Sequence, residues 1–395
     1  ICCWAMGITQ HKNSVPTIQE ISNLLLLGGH IGREGAGLCP VRGHSNVQGD
    51  RTMGINHNPS SEFMDSLSRE FGIQKLQSRG FDTVEAVRSM LQRKARVFLS
   101  MGGNFVSAMS DTNATSEAIS KCSLTVQIST KPNRSHLITG KIGIILPCLG
   151  RTERDQSGGS EQFITVENSM GVVHKSVGTR PPASNNLRSE VSIVAGIALA
   201  IEDKIGPSEI NWRGFAADYD SIRDSIEKVV PGFNSYNERC RENGGFYLPN
   251  PPRDSRIFPT KTGSANFMSN ELVSISPNDG EFLMMTIRSH DQYNTTVYTD
   301  NDRYRGIYSG RRVVLMNKSD MEANSWVEFD EVSITSEFEQ KVVTSDRWRV
   351  VEYDIPKGNV ATYFPEANVL IPLNSVADKS NTPTSKSVIV NIKST

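Results

Sequence analysis

The amino-acid sequence predicts an α/β region built on parallel strands, followed by an all-β region. Three observations carry that reading. Between residues 97 and 146, short apolar strands flank a helical segment, which is the mark of a strand–helix–strand unit and hence of a parallel sheet. From about residue 280 onward the texture changes to short alternating or apolar runs separated by turn residues. At 395 residues the chain is long enough for two or three domains, each with its own core.

In chain order, residues 1–5 read as a strand that runs into Met6-Gly7-Ile8-Thr9-Gln10-His11. Ile18, Ile21, Leu24 and Leu25 then recur at helix spacing, and Gly28-Gly29 stops the run. Residues 97–101 form a strand followed directly by Gly102-Gly103-Asn104. Thr112 or Thr115 can cap a helix around 116–121, and 124–128 is the next strand, leading into Ser129-Thr130-Lys131. A third strand over 142–146 ends at Pro147. Ligands of such sheets sit at the carboxyl ends of the strands. Residues 150–183 are irregular apart from alternation at 163–166 and 172–173. A helix over 186–202 with Ser184 or Asn185 as cap follows, then one near 218–230 that ends at Pro231-Gly232. We place the α/β region at 1–240, a Gly-, Pro- and Asn-rich linker at 241–280, and a β-barrel or sandwich at 281–395. The strands expected there are 282–287, 312–316, 326–334, 348–353 and 388–392.

Composition narrows the function. The net charge is −1, which gives no general attraction to nucleic acid or to an anionic membrane. No apolar run approaches the roughly 20 residues of a membrane span. The six cysteines (2, 3, 39, 122, 148 and 240) include no C-x-x-C pair and no iron–sulfur or zinc spacing, so no residue is assigned as a metal ligand. Scattered free thiols suit a reducing compartment, the cytoplasm. Cys2 and Cys3 are expected to open a buried strand. The start Ile-Cys-Cys-Trp is neither a methionine start nor a signal peptide, so we expect the natural chain to be longer.

The most informative stretch is 39–49, Cys-Pro-Val-Arg-Gly-His-Ser-Asn-Val-Gln-Gly, preceded by Gly32, Gly35 and Gly37. Arg42, His44, Asn46 and Gln48 alternate with small or apolar residues, so an extended backbone would point all four one way. One fixed cation, one imidazole and two amides suit an anion that also carries planar hydrogen-bonding edges. The string 6–11 is a ligand-binding rim or a turn. Gly102-Gly103-Asn104 would admit a diphosphate to the backbone amides. The loop Arg288-Ser289-His290-Asp291-Gln292-Tyr293-Asn294-Thr295, with Arg303 and Arg305 close behind, is a phosphate site or a solvated face.

These strings resemble the molybdopterin oxidoreductases, in particular formate-dehydrogenase-like alpha subunits. The resemblance rests on 33–37, 40–43, 46–54 and the Gly-x-x-Gln-His of 7–11. It continues through 102–104, 127–131, 145–153, 166–171, 288–294, 363–368 and 382–386, so it spans the chain but only about the C-terminal half of a family member. It implies a doubly wound, mostly parallel α/β sheet followed by a six-stranded double-psi β-barrel. It also implies a bis(molybdopterin guanine dinucleotide) cofactor with molybdenum or tungsten.

The cofactor contacts it implies are Gly7, Gln10, His11, Gly43, Asn46, Gln48, Gly49, Gly102, Gly103, Asn104, Ser129, Thr130, Lys131, Arg288, His290, Gln292, Asn294, Thr295, Asn368 and Lys386. Arg42 would bind a small anionic substrate such as formate. His44 would orient it or accept a proton, or else bond the pterin. Formate dehydrogenases often carry an amide at the position of His44, and the family usually has an aromatic where Ser385 stands. An iron–sulfur cluster, the protein ligand to the metal and an iron–sulfur electron-transfer partner would belong to the missing N-terminal half.

Two other function classes bear on the same residues. A non-catalytic cofactor-binding module would keep these contacts without its own metal ligand. A nicotinamide dehydrogenase is a poor reading, because no Gly-x-Gly-x-x-Gly follows a strand with an acid about 20 positions on. If the reading holds, Arg42, Asn104 and His290 converge on one cavity.

Overall fold

A computed structural model of the chain describes residues 1–76 and 78–395. Strands β1 (Cys2–Trp4) and β2 (Leu38–Pro40) pair in parallel, Cys3 opposite Cys39 and Trp4 opposite Pro40. The helix Ser14–Leu27 joins them and ends at Gly28. Cys2 and Cys3 do open a strand, but Cys3 is exposed and Cys2 only half-buried.

The expected strand–helix–strand unit forms β3 (Val97–Met101), β4 (Leu124–Ser129) and β5 (Ile142–Pro147), parallel and in that spatial order. The crossover helix is Thr112–Ser120, and its cap is Asp111, not Thr112 or Thr115. Asp111 takes a left-handed φ of 50° and accepts from the Ala114 amide at 3.2 Å. The parallel strands thus form two separate small sheets. A third, antiparallel sheet joins β6 (Ile164–Glu167), β7 (Val172–Ser176) and β8 (Phe246–Tyr247). The helix Tyr219–Val229 packs on it through Val229, with Phe163, Val173, Phe233 and Tyr236 in the same cluster. The helix Glu190–Ile205 begins one turn later than expected, because Ser189 caps it by accepting from the Ser192 amide at 3.1 Å.

The stretch 241–280 is not uniformly irregular. β8 lies within it, as does the helix Pro251–Ser255, and Arg256 Nε donates to the Gly32 carbonyl at 2.9 Å.

The all-β region closes into a six-stranded barrel. Its strands are β9 (Glu281–Ile287), β10 (Val313–Met316), β11 (Glu331–Phe338), β12 (Lys341–Glu352), β13 (Asn359–Tyr363) and β14 (Val388–Ser394). They run in the closed order β10-β12-β11-β14-β9-β13. Two parallel pairs, β10 with β12 and β9 with β13, interleave with antiparallel ones, the mixed order expected of a double-psi barrel. Met284, Val332, Ile334, Trp348, Val350 and Val360 fill the interior.

Three barrel expectations need correction. Residues 326–330 lie outside the strand, β12 begins at Lys341, and β13 was not expected at all. No helix among the described residues is long and apolar enough to cross a membrane.

The barrel is pinned to the α/β region by a few polar contacts. Asn368, on the loop after β13, donates to the Ser107 carbonyl at 2.8 Å, and its own carbonyl accepts from the Asp111 amide at 2.9 Å. Lys341 pairs with Asp111, and the Lys386 amide donates to the Gln10 carbonyl at 3.1 Å.

Candidate functional site

Parallel pairing decides where the site can be. β1 and β2 end side by side, so the 6–11 turn and the 42–44 loop leave one sheet edge together. β3 and β4 likewise end together at Gly102 and Ser129. The loop after β9 reaches both edges. At the first, Arg288 Nη2 lies 3.7 Å from Met6 Sδ, and its Nε and Nη2 donate to Asn294 Oδ1 at 3.0 and 2.7 Å. Asn294 Nδ2 in turn stands 2.7 Å from His44 Nε2, and Tyr293 meets the imidazole edge-on at 5.1 Å. Gly43 leaves little room here, since a Cβ on it would lie 3.4 Å from Asn294 Nδ2.

At the second edge, Asn104, Lys131, Asn133, Arg134, Thr295 and Tyr298 are among the residues lining a cavity of about 490 Å³ between the sheet and the barrel. Lys131 Nζ reaches the Thr296 carbonyl at 3.4 Å. Gly102 and Gly103 both take left-handed φ (68° and 76°), and nothing lies within 4 Å of where a Cβ would stand. The backbone there is open to a close approach.

Two cations and an imidazole set the electrostatics. Burial pulls Lys386 down to about 8, and the charge of Arg288 adds to the effect. Burial alone lowers Arg288. Burial also lowers His11, with the Gly7 carbonyl opposing and Lys386 adding. Lys386 donates to the Thr286 carbonyl, Ser385 Oγ donates to Gln10 Oε1 at 2.8 Å, and neither Arg288 nor Lys386 forms a salt bridge among the described residues. Like charges partly withdrawn from water without a carboxylate between them favour a bound anion.

A neighbouring cluster shows the contrast. Burial would raise Asp302, but hydrogen bonds from Tyr363, Arg305 and His290 outweigh it and hold the carboxyl at about 2. His290 sits 3.2 Å from Asp302 Oδ1. It is therefore committed to a carboxylate beneath the rim.

Several site expectations are corrected by these contacts. Residues 42–48 are not extended. Asn46 takes a left-handed φ of 68° and opens the helix Val47–Thr52. Its Oδ1 accepts from the Glu167 amide at 3.0 Å and fills the space a Cβ on Gly49 would need. Asn46 and Gly49 therefore build a turn, while Arg42 Nη2 and Gln48 Oε1 stay together at 3.3 Å. Gln292 uses its amide fully, within the loop and across the barrel. Its oxygen accepts from the Ser289 amide and Arg311 Nη2 (3.0 and 2.8 Å), and its nitrogen donates to the Asn294 and Phe364 carbonyls (2.7 and 2.8 Å). Asn368 is buried in the seam.

Ser129 Oγ donates to the Lys131 carbonyl at 2.8 Å, and Thr130 is exposed beside it. Asn104 accepts from Ser135 Oγ at 2.7 Å and still lines the cavity. Arg42, Asn104 and His290 do not share one cavity, so the expected convergence fails, and His290 leaves the candidate site for its carboxylate partner. Arg42 lines a separate one of about 740 Å³ with Glu167 and Arg253, and neither His44 nor Asn294 is among the residues lining either cavity. Sequence reasoning missed Asn133, Arg134, Tyr298 and Arg312, although Lys131-Pro132-Asn133-Arg134 directly after β4 was a readable signal. Among the described residues no group of three or more His, Cys, Asp or Glu could hold a metal ion.

Comparison with known proteins bears on the same residues. Residues 282–390 match the molybdopterin dinucleotide binding domain. An uncharacterised oxidoreductase of Mycobacterium tuberculosis is 50% identical over 402 residues, covering 100% of this chain and 51% of its own length. Protein YdeP of Escherichia coli is 39% identical over 399 residues, again 100% of this chain and 52% of its own. The chain thus spans about half the length of the curated relatives it matches. A Staphylococcus aureus protein with a provisional formate dehydrogenase name is 35% identical over 98 residues, 23% of this chain and 10% of its own. Among solved structures, acetylene hydratase from Pelobacter acetylenicus shares the fold, with a TM-score of 0.54 and 8% identity over 85% of this chain and 50% of that one. The closed barrel thus carries a molybdopterin dinucleotide binding domain, and over its whole length the chain is similar to an oxidoreductase about twice as long.

Proposed function

We propose that this chain is the portion of a molybdenum oxidoreductase that grips a bis(molybdopterin guanine dinucleotide) cofactor, in an enzyme that oxidises a small anion such as formate by two electrons. The observation that carries the reading is the pair of cations Arg288 and Lys386, half-buried beside the His11 imidazole and without a carboxylate partner among the described residues. Each charge-assisted bond from such a group to a phosphate oxygen contributes roughly 1.5–3 kcal/mol. The donor set fits the group, with Lys131, Arg134 and Thr295 lining the second cavity for a nucleotide arm and Gly102-Gly103 letting backbone amides approach a diphosphate.

When bound, such a cofactor supplies the two-electron redox chemistry. The chain's own residues then bind and orient. Arg42, exposed at the mouth of its cavity beside Gln48, holds the substrate anion. His44, fixed by Asn294 and Tyr293, orients it or takes a proton. An iron–sulfur cluster in the rest of the full-length protein would carry the electrons away.

The test is elemental and nucleotide analysis of purified full-length protein. We expect molybdenum together with two guanine nucleotides per metal after acid release. Folded protein that yields no guanine nucleotide overturns the reading. Guanine nucleotide without formate-dependent dye reduction would instead favour another substrate or a non-catalytic module. In the active enzyme, Arg42→Ala should lower kcat/KM at least 100-fold with cofactor content unchanged.

A further inference from the structure

We propose that Cys3 and Cys39 form a redox pair that closes to a disulfide across β1 and β2. The two residues are register partners in a parallel ladder. Adjacent strands lie roughly 4.8 Å apart, inside the Cα separation that a disulfide accepts. Register partners project to the same face, so the two thiols stand side by side on the ladder. Cys2 cannot substitute. It faces the other side of β1 and stands opposite Leu38. The remaining cysteines, 122, 148 and 240, are buried, and burial pushes the Cys148 thiol up to about 11. They serve as internal controls.

Accessibility assigns the roles. Cys3 is exposed and meets an oxidant first, whereas Cys39 is partly covered, and burial together with the Cys3 sulfur raises its pKa. With a peroxide as oxidant, the Cys3 thiolate attacks one peroxide oxygen and the O–O bond breaks, giving a sulfenic acid and hydroxide. Cys39 sulfur then attacks that sulfenic sulfur, forming the S–S bond as the S–O bond breaks and water leaves. In total, two thiols and one hydrogen peroxide give one disulfide and two waters. The bond would fix the register of the two strands whose ends carry the 6–11 turn and Arg42–His44. It would therefore stiffen one side of the anion rim. The inference does not depend on the cofactor reading.

The test treats purified full-length protein with stoichiometric hydrogen peroxide, followed by non-reducing digestion and mass spectrometry. The expected product is a dithiothreitol-sensitive peptide pair joined through Cys3 and Cys39. In Cys39→Ser the link disappears and Cys3 stops at the sulfenic acid, reaching sulfinic acid only with a second equivalent of peroxide, whereas Cys2→Ser keeps the link. Wild-type protein in which Cys3 is overoxidised while Cys39 stays a free thiol overturns the proposal, as does linkage of Cys3 to any other cysteine. The wild-type readout stands even if a variant fails to fold.

Discussion

The barrel and the parallel sheets solve the same problem differently. Closure gives every barrel strand two neighbours, so no row of backbone groups is left unpaired, and its core residues are almost wholly withdrawn from water. The β3-β4-β5 sheet has two open edges, and only β4 is well covered. Val97, Leu99, Ile142, Ile144 and Ile145 remain substantially exposed, as do Leu24 and Leu27 on the first helix and Ile201 and Ile205 on the helix Glu190–Ile205. The barrel satisfies itself, and the α/β region leaves apolar surface bare. The anion rim lies between the two, drawing its cations from the barrel and its open backbone from the strand ends.

The largest effect expected from this contrast is a core truncation in each region. Trp348 is 0% exposed and donates through Nε1 to Ser345 Oγ at 3.1 Å. Trp348→Ala should destabilise the barrel by about 3–5 kcal/mol. Ile144, at 41% exposure on β5, should lose under ~1 kcal/mol on change to Ala. Denaturant unfolding followed by hydrogen exchange of each region reads both. Equal losses would mean that the sheet is covered in solution and the contrast is wrong.

Next in size is a pH effect confined to the rim. The folded pKa of Lys386, about 8, lies below the ordinary 10.5. Below pH 8 both states hold the proton and the burial penalty is carried in full. Between 8 and 10.5 the unfolded chain holds more protons, so stability rises with pH across that window, by at most ~3 kcal/mol. Lys386→Met should flatten this rise. An anion seated against Lys386 should favour the charged form, so titration with inorganic pyrophosphate near pH 8 should draw protons from the buffer. Calorimetry in buffers of different ionisation enthalpy measures that uptake. Binding without proton uptake would place the anion elsewhere.

At the seam, Asn368→Ala removes the donor to the Ser107 carbonyl and should lower stability by about 1–3 kcal/mol. The sharper readout is hydrogen exchange over residues 105–111, which should accelerate while β11 and β12 stay protected. Uniform acceleration would show that the barrel is not an independent cooperative unit.

What the sequence showed and hid follows from the same physics. The helix Ser14–Leu27 and strands β3, β4 and β5 announce themselves through spacing, apolar runs and turn residues. β13 does not, because four of its five residues are buried and a short strand covered on both faces has no alternation. Arg288, Lys386 and Asn104 were legible as candidates, being polar groups set in loops beside strands. His290, Gln292 and Asn368 turned out to be committed to partners far away in sequence, which no local pattern reveals. Asn46 misled because alternation suggests a strand, whereas an Asn that can adopt left-handed φ starts a helix just as readily.

The smallest expected effect comes from the hairpin that spacing also missed. β11 and β12 pair up to Phe338 opposite Lys341, leaving Glu339 and Gln340 as a two-residue turn with φ of 47° and 68°. Two successive left-handed residues define a type I′ turn, which Asn-Gly fits and Glu-Gln does not. Replacing both, Glu339→Asn with Gln340→Gly, should stabilise the barrel by up to about 1 kcal/mol, the relieved backbone strain being partly offset by the greater freedom of glycine when unfolded. The gain should appear as slower exchange in β11 and β12, with residues 97–101 unchanged. If 97–101 also became more protected, the closed barrel would be lending its stability to the open sheet across the Asn368 seam, and the two regions would have to be treated as one cooperative unit.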